Sequence, residues 1–291
     1  MTGNRPGLAL GTVQFGLAYG VAGASRPTAP AEARAILGRA WELGIRTLDT
    51  APVYGDIEER LASLIGDLEF RIVSKIAPLP SGLGERDSIQ HVTAAFDRSR
   101  ERLGRRLSAL LFHRAEDLLC PHAAPMWDAL SERCARHGVA LGVSGYDCET
   151  MERLRQDFPL SIAQLPGNAF DQSLARREPG AHMAVHLRSA FLQGLLLMPQ
   201  VEAARRVPAA ARALERWHDW RRRHQMTPLQ AALSIVRGWN IEECVVGVQD
   251  QAQLEEIAQA WDETPSRQAP ELASIDPDII DPRRWPPKET S

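Results

Sequence analysis

Short apolar runs alternate with amphipathic stretches eight times along this chain of 291 residues. The runs are residues 8–16, 46–49, 70–76, 107–113, 139–145, 160–165, 183–189 and 244–248. As short, mainly apolar runs, they read as strands buried on both faces. Helical spacing fills most of the intervals: residues 31–43, 58–65, 88–103, 125–137 and 148–158, one or two helices within 209–238, and 251–261 after the last run. Thr227-Pro228 reads as a helix restart, a cap followed by proline at the first helical position. Only residues 168–180 carry a poor helical signal. Such alternation predicts a parallel sheet, and eight units predict its closure. The expected fold is therefore α/β, a single (β/α)8 TIM barrel over residues 1–264 that begins with an N-terminal strand segment. An irregular, proline-rich tail, 265–291, follows. An open doubly wound sheet would need Gly-x-Gly-x-x-Gly after its first strand, and that fingerprint is absent there.

Charge and hydropathy narrow the class of partner. A net charge of −3 gives no reason to expect nucleic acid or an anionic membrane surface. No apolar run approaches the length of a membrane span. Residues 1–7 lack the shape of a signal peptide, so a cytoplasmic protein is expected. Cys120, Cys134, Cys148 and Cys244 show no two-residue spacing, which argues against a zinc or redox motif and fits a reducing compartment. His182-x-x-x-His186 has metal-like spacing, but no third ligand is evident, and no metal is expected. Trp217 and Trp220 read as packing, and residues 221–223, all arginine, as a solvated helix face.

In such a barrel the reactive groups sit where strands end. The second run ends in Asp49, with Tyr54 and Gly55 just beyond it. The third offers Lys75, the fourth His113, the fifth Ser144 and the sixth Gln164. A lone strand-end aspartate is commonly a cap, and a lone histidine commonly packs. Composition argues otherwise here. Of 34 basic residues only Lys75 and Lys288 are lysine, leaving 32 arginines, and the only tyrosines are Tyr19, Tyr54 and Tyr146. Lysine at that strand end supplies a compact, tunable charge that arginine does not. Lys75 is expected to lower the pKa of the Tyr54 phenol, with Asp49 holding the ammonium in place. His113 is expected to donate to a carbonyl oxygen, and the set suits proton donation to a developing alkoxide. No protein group supplies the electrons, so a hydride-carrying cofactor is required.

Asp49-Thr-Ala-x-x-Tyr54-Gly55, Val73-Ser-Lys75 and Leu110-Leu-Phe-His113 together resemble the signature of the aldo-keto reductase family, and the resemblance runs from residue 8 to about residue 261. It implies NAD(P)H-dependent reduction of an aldehyde or ketone to an alcohol. Tyr54 would be the general acid, Lys75 and Asp49 would tune it, and His113 would orient the carbonyl. It further implies NADPH as cofactor, with NADH possible, held by Thr12, Asp49, Ser144, Gln164, Arg188, Ser189, Gln193, Gly247 and Gln253. The chain departs from the family pattern at three places. Gly145 stands where asparagine is usual. Arg188 stands where an aromatic residue commonly stacks on the nicotinamide, a role its guanidinium plane would take over. Residues 247–253 lack the basic groups that commonly meet a 2′-phosphate, although a helix starting near Gln251 offers a phosphate site. Two other readings stay open: a barrel lyase or aldolase with Lys75 as a Schiff base, and a non-catalytic, nucleotide-binding regulatory barrel. The identity of the small carbonyl substrate and the oligomeric state are not legible.

Overall fold

In the computed structural model, which describes residues 6–20, 26–177 and 183–286, eight parallel strands pair in chain order and close into a barrel. They are β1 (Gly7–Gly11), β2 (Thr47–Asp49), β3 (Arg71–Ile76), β4 (Leu107–Phe112), β5 (Ala140–Ser144), β6 (Ile162–Pro166), β7 (Ala184–Arg188) and β8 (Glu243–Gly247). Closure is made by β1 against β8, in register from Gly7 opposite Glu243 to Gly11 opposite Gly247. The helices are α1 (Pro30–Glu42), α2 (Ile57–Ile65), α3 (Glu85–Leu103), α4 (Ala123–Arg136), α5 (Cys148–Asp157), α6 (Gln200–Arg206), α7 (Ala211–Arg223), α8 (Pro228–Val236) and α9 (Gln251–Glu263). Between β6 and β7 the described residues hold one helical turn, Leu174–Arg176, which matches the weak periodicity there. α8 starts at the expected restart: the Thr227 hydroxyl accepts from the Gln230 N–H, and the Gln230 side chain accepts from the Thr227 N–H.

β1 stops well short of the run the sequence suggests. β1 ends at Gly11, and Val13–Gly16 forms a single helical turn instead of continuing to residue 16. The cause is local. The Thr12 N–H and hydroxyl both donate to the Asp49 carbonyl, at 2.9 and 3.0 Å, and the Thr12 carbonyl accepts from the Phe15 N–H at 2.9 Å, which starts the helical turn.

Strand alternation sends Leu10, Leu48, Ile72, Leu110 and Phe112 outward into the main helix-lined core, while Val73, Ala109, Leu111 and Ile162 pack together in a separate cluster. The same parity turns Asp49, Lys75 and His113 toward the barrel axis. At the opposite end, Glu243 accepts from Thr47 at 2.7 Å and from Arg71 at 3.0 Å, and His186 Nε2 lies 3.6 Å from its other oxygen. His186 is thus buried in a polar plug; His182 lies outside the described residues.

Among its described residues the proline-rich tail has no long element, only the turns Pro270–Leu272, Pro277–Ile280 and Pro282–Arg284. It is nevertheless anchored. Ala269, Leu272, Ile279 and Trp285 are buried with Trp217, Trp220 and the leucines of residues 192–196. Trp217 Nε1 donates to the Leu196 carbonyl at 3.1 Å, so the expected packing tryptophans also pin the loop after β7. No helix among the described residues is long and apolar enough to cross a membrane.

Candidate active site

The C-terminal strand ends open into a cavity of about 1030 Å³, at the upper limit of ordinary small-molecule pockets. Its floor holds a buried ion pair. Lys75 Nζ donates to Asp49 Oδ1 at 2.7 Å and to the Thr50 carbonyl at 3.0 Å. Gln164 Nε2 donates to the same Asp49 oxygen at 2.7 Å. Lys75 is 1% exposed and Asp49 5%, so neither group is free to move into solvent. Burial pushes the Lys75 ammonium below its usual range, against the pull of Asp49.

Tyr54 is placed by backbone contact, a feature that side-chain motifs do not reveal. A Cβ on Gly16 would lie 1.8 Å from the Tyr54 carbonyl oxygen, and one on Gly55 would lie 2.7 Å from the Gly16 carbonyl oxygen. Gly55 also has φ +68°, a left-handed conformation that glycine adopts without cost. The helical turn after β1 and the loop after β2 therefore touch backbone to backbone, which fixes where the phenol stands. Lys75 Nζ is 5.5 Å from the Tyr54 ring centroid, and the His113 ring meets that ring edge-on at 6.0 Å.

The electrostatics differ from the expected tuned phenol. The Tyr54 pKa is raised, first by burial and then by the negative charge of Asp49. Arg188 pulls it down by less, and the Lys75 charge is spent on Asp49 at 2.7 Å. The phenol therefore holds its proton at neutral pH. His113 is lowered to about 4, by burial and then by Lys75, so it is a neutral imidazole. Its Nδ1 is buried without a protein partner.

The other wall comes from β5 to β8 and their loops. Ser144, Gln164, Arg188, Ser189, Gln193, Gly247 and Gln253 all line the cavity. Thr12 does not, since its hydroxyl is spent on the Asp49 carbonyl behind the wall. The planar partner of Arg188 in this structure is a protein ring: its guanidinium carbon is 4.5 Å from the Tyr146 centroid, and Nη2 donates to the Gly145 carbonyl at 2.9 Å. Arg283 of the tail lies over the same ring at 3.5 Å, which brings the tail to the cavity edge. The loop after β7 bends through left-handed backbone at Ser189, Leu192 and Gln193, strain of the kind that concentrates at binding sites.

Sequence reasoning missed Gln14, Tyr19 and Tyr146 as lining residues. The Gln14 amide packs over Gly247, where a Cβ would come within 2.3 Å of its nitrogen, and Gln14 Oε1 is buried without a partner. The signal for the tyrosines was available: the chain has three, and all of them meet at this mouth.

The aldo/keto reductase family model matches residues 7–276. The chain belongs to the aldo/keto reductase family. No curated protein sequence matches it. Among solved structures, a candidate aldo-keto reductase from Pseudomonas aeruginosa is 23% identical, with 89% of this chain and 91% of that one covered and a TM-score of 0.65. The holo form of an aldo-keto reductase from Bacillus halodurans is 15% identical, covering 95% and 94%, with a TM-score of 0.65. Glycerol dehydrogenase from Gluconobacter oxydans is 19% identical, covering 99% and 98%, with a TM-score of 0.67. At these identities the likeness is one of fold. Membership of the aldo/keto reductase family itself indicates oxidoreductase activity with a nicotinamide dinucleotide.

Proposed function

We propose that this aldo/keto reductase reduces an aldehyde or ketone to an alcohol, with Tyr54 as proton donor. The observation that carries this reading is the buried Asp49–Lys75 pair, 2.7 Å apart, beside a phenol that keeps its proton. The dinucleotide, when bound, supplies the hydride that adds to the carbonyl carbon. His113, neutral, donates an N–H to the carbonyl oxygen and orients it. Tyr54 gives its proton to that oxygen as negative charge develops there; an alkoxide is a far stronger base than a phenolate, so a raised phenol pKa does not block the transfer. Lys75, fixed by Asp49 and the Thr50 carbonyl, then faces the phenolate left behind.

The residues present suit the dinucleotide. Gln14 Oε1, a buried acceptor without a partner, would be satisfied by an amide N–H. Ser144 and Gln164 stand beside the reacting groups as partners for the carboxamide, and Ser189, Gln193, Gly247 and Gln253 border the rest of its path. The reductant favoured by the lining is NADH over NADPH. Among described residues the only lining lysine or arginine groups are Lys75 and Arg188, whereas α9 contributes Glu256 and Glu263. The first turn of α9 is already capped, with Asp250 accepting from the Gln253 N–H at 2.8 Å. A 2′-phosphate there would meet like charge. The four cysteines are all unpaired thiols, the usage of a reducing cytoplasm.

A Schiff-base role for Lys75 fits less well, because its nitrogen is buried and committed to two acceptors. Oxidation of NADH and NADPH in the presence of a panel of aldehydes and ketones tests the proposal. Consumption with one or more carbonyls is expected. Dinucleotide binding without oxidation across the panel would favour a regulatory barrel, and borohydride trapping of substrate on Lys75 would favour a lyase.

A further inference from the structure

Among the described residues, Arg188 is a strong charge at the reacting end that has no ion-pair partner. It is half-buried and lines the cavity. Its hydrogen bonds go to the Gly145 carbonyl at 2.9 Å and, weakly, to the Ser189 hydroxyl at 3.4 Å. A guanidinium has five N–H donors, so three are left for something else. Asp171 feels the Arg188 charge but makes no ion pair with it. Asp49 serves Lys75 and Gln164, and Asp171 Oδ1 accepts from the Ser173 N–H and hydroxyl at 3.2 and 2.7 Å. Arg283 offers a contrast over the same Tyr146 ring, since its charge is met by both oxygens of Asp281. Arg188 is also close to the chemistry: behind the larger effect of burial, its charge acts on Tyr54, Lys75 and His113. Leaving a half-buried cation without an anion is costly, and it is tolerated where a ligand completes the pair.

We infer that the natural substrate is an oxo-acid, a molecule carrying a carboxylate as well as the carbonyl that is reduced, and that Arg188 binds the carboxylate. The planar fork of a guanidinium matches a carboxylate through two parallel N–H bonds. Tyr146, stacked on the guanidinium, holds the fork in orientation, so it is a positioning residue. Leu17, Val53 and Phe191 give the mouth apolar surface for the substrate's carbon skeleton. The reaction is unchanged: the carbonyl carbon takes the hydride, the oxygen takes the Tyr54 proton, the dinucleotide is oxidised, and the carboxylate neither gains nor loses electrons.

This inference rests on the carbonyl-reductase reading, and its test separates the two. 4-Carboxybenzaldehyde and its methyl ester differ in charge but present the same aldehyde. The wild-type protein should favour the acid in kcat/KM by about tenfold or more, the scale of a desolvated, bidentate charge pair. Arg188→Gln should bring the ratio to near parity, and Arg188→Lys should keep part of it. A ratio taken within one preparation does not move if some of the variant is misfolded. In parallel, calorimetry of benzoate and benzamide binding needs no turnover. Benzoate should bind more tightly to the wild type, and the difference should vanish in Arg188→Gln. If neither aldehyde is reduced, the calorimetric comparison decides whether Arg188 binds the carboxylate, and the wider carbonyl panel decides the reductase reading. Equal handling of acid and ester by the wild type overturns the inference and leaves the reductase reading intact. An acid preference that survives in Arg188→Gln also overturns it, as does a loss of NADH affinity in that variant equal to its loss of acid affinity.

Discussion

The two halves of the barrel mouth are built on different principles. On the side of β2 to β4, the reactive groups hang from strand ends and are locked together: Lys75 donates to Asp49 at 2.7 Å, and Gln164 reaches across from β6 to the same oxygen at 2.7 Å. On the side of β5 to β8, the lining comes from Ser144 and Gln164 at strand ends, from a loop with left-handed residues and from Arg188, which has no ion-pair partner among the described residues. The first half follows the family motif residue for residue. The second departs from it at Gly145, at Arg188 and along α9. Chemistry that depends on proton position tolerates little change, whereas recognition built on loops can be rewritten without disturbing the barrel.

The largest expected effect lies in the first half. Lys75→Met leaves Asp49 as a buried carboxylate with only Gln164 to satisfy it, and should cost about 3–5 kcal/mol of stability in urea unfolding. Asp49→Asn added to it should recover part of that loss. If Lys75→Met costs no more than Arg188→Gln, the two halves do not differ as described. Next comes Gly16→Ala. The added methyl cannot share space with the Tyr54 carbonyl, so the loop must shift. Displacements near 1 Å at a reacting group can cost about 10² in rate. kcat should fall by about tenfold or more, while NADH affinity, which depends on the other half, should change far less.

That second prediction also marks the limit of the sequence. Asp49, Lys75 and His113 were legible because strand ends in a parallel barrel converge, and because lysine is so rare in this chain. The contact between Gly16 and Tyr54 was not, since nothing in a glycine says which backbone approaches it. The lowered phenol pKa expected from the Lys75–Tyr54 proximity failed for a related reason: the balance among burial, Asp49 and Arg188 depends on distances that spacing does not contain. Arg283 reaches Tyr146 only through the burial of Trp285 and Ile279 under α7, a long-range packing event in a segment without periodicity.

The smaller predictions sharpen the second half and the electrostatics. NADH should bind more tightly than NADPH by about tenfold, the effect of about 1.4 kcal/mol of like-charge repulsion. Glu256→Gln should narrow the gap in a fluorescence titration, and a clear NADPH preference in the parent would refute the acidic-wall reading. The last effect, seen only at acid pH, concerns His113. Its folded pKa of about 4 lies below the ordinary 6.5, so the unfolded chain binds the extra proton first as pH falls. Its contribution to stability should be fully present above pH 6.5 and be lost as pH falls toward about 4. His113→Gln should flatten that part of the stability–pH curve; an unchanged slope would place the titration elsewhere.

The division between the halves is tested most directly by single-turnover reduction of an aldehyde on protein already loaded with NADH, comparing the parent with Tyr54→Phe. The variant keeps the ring, the Gly16 contact and the dinucleotide wall, and loses only the proton donor. Its NADH affinity should match the parent's while the rate of hydride consumption falls by about 10² or more. A Phe variant that consumes NADH at the parent's rate would contradict the assignment of the proton to Tyr54, and with it the claim that the β2 to β4 half carries the chemistry.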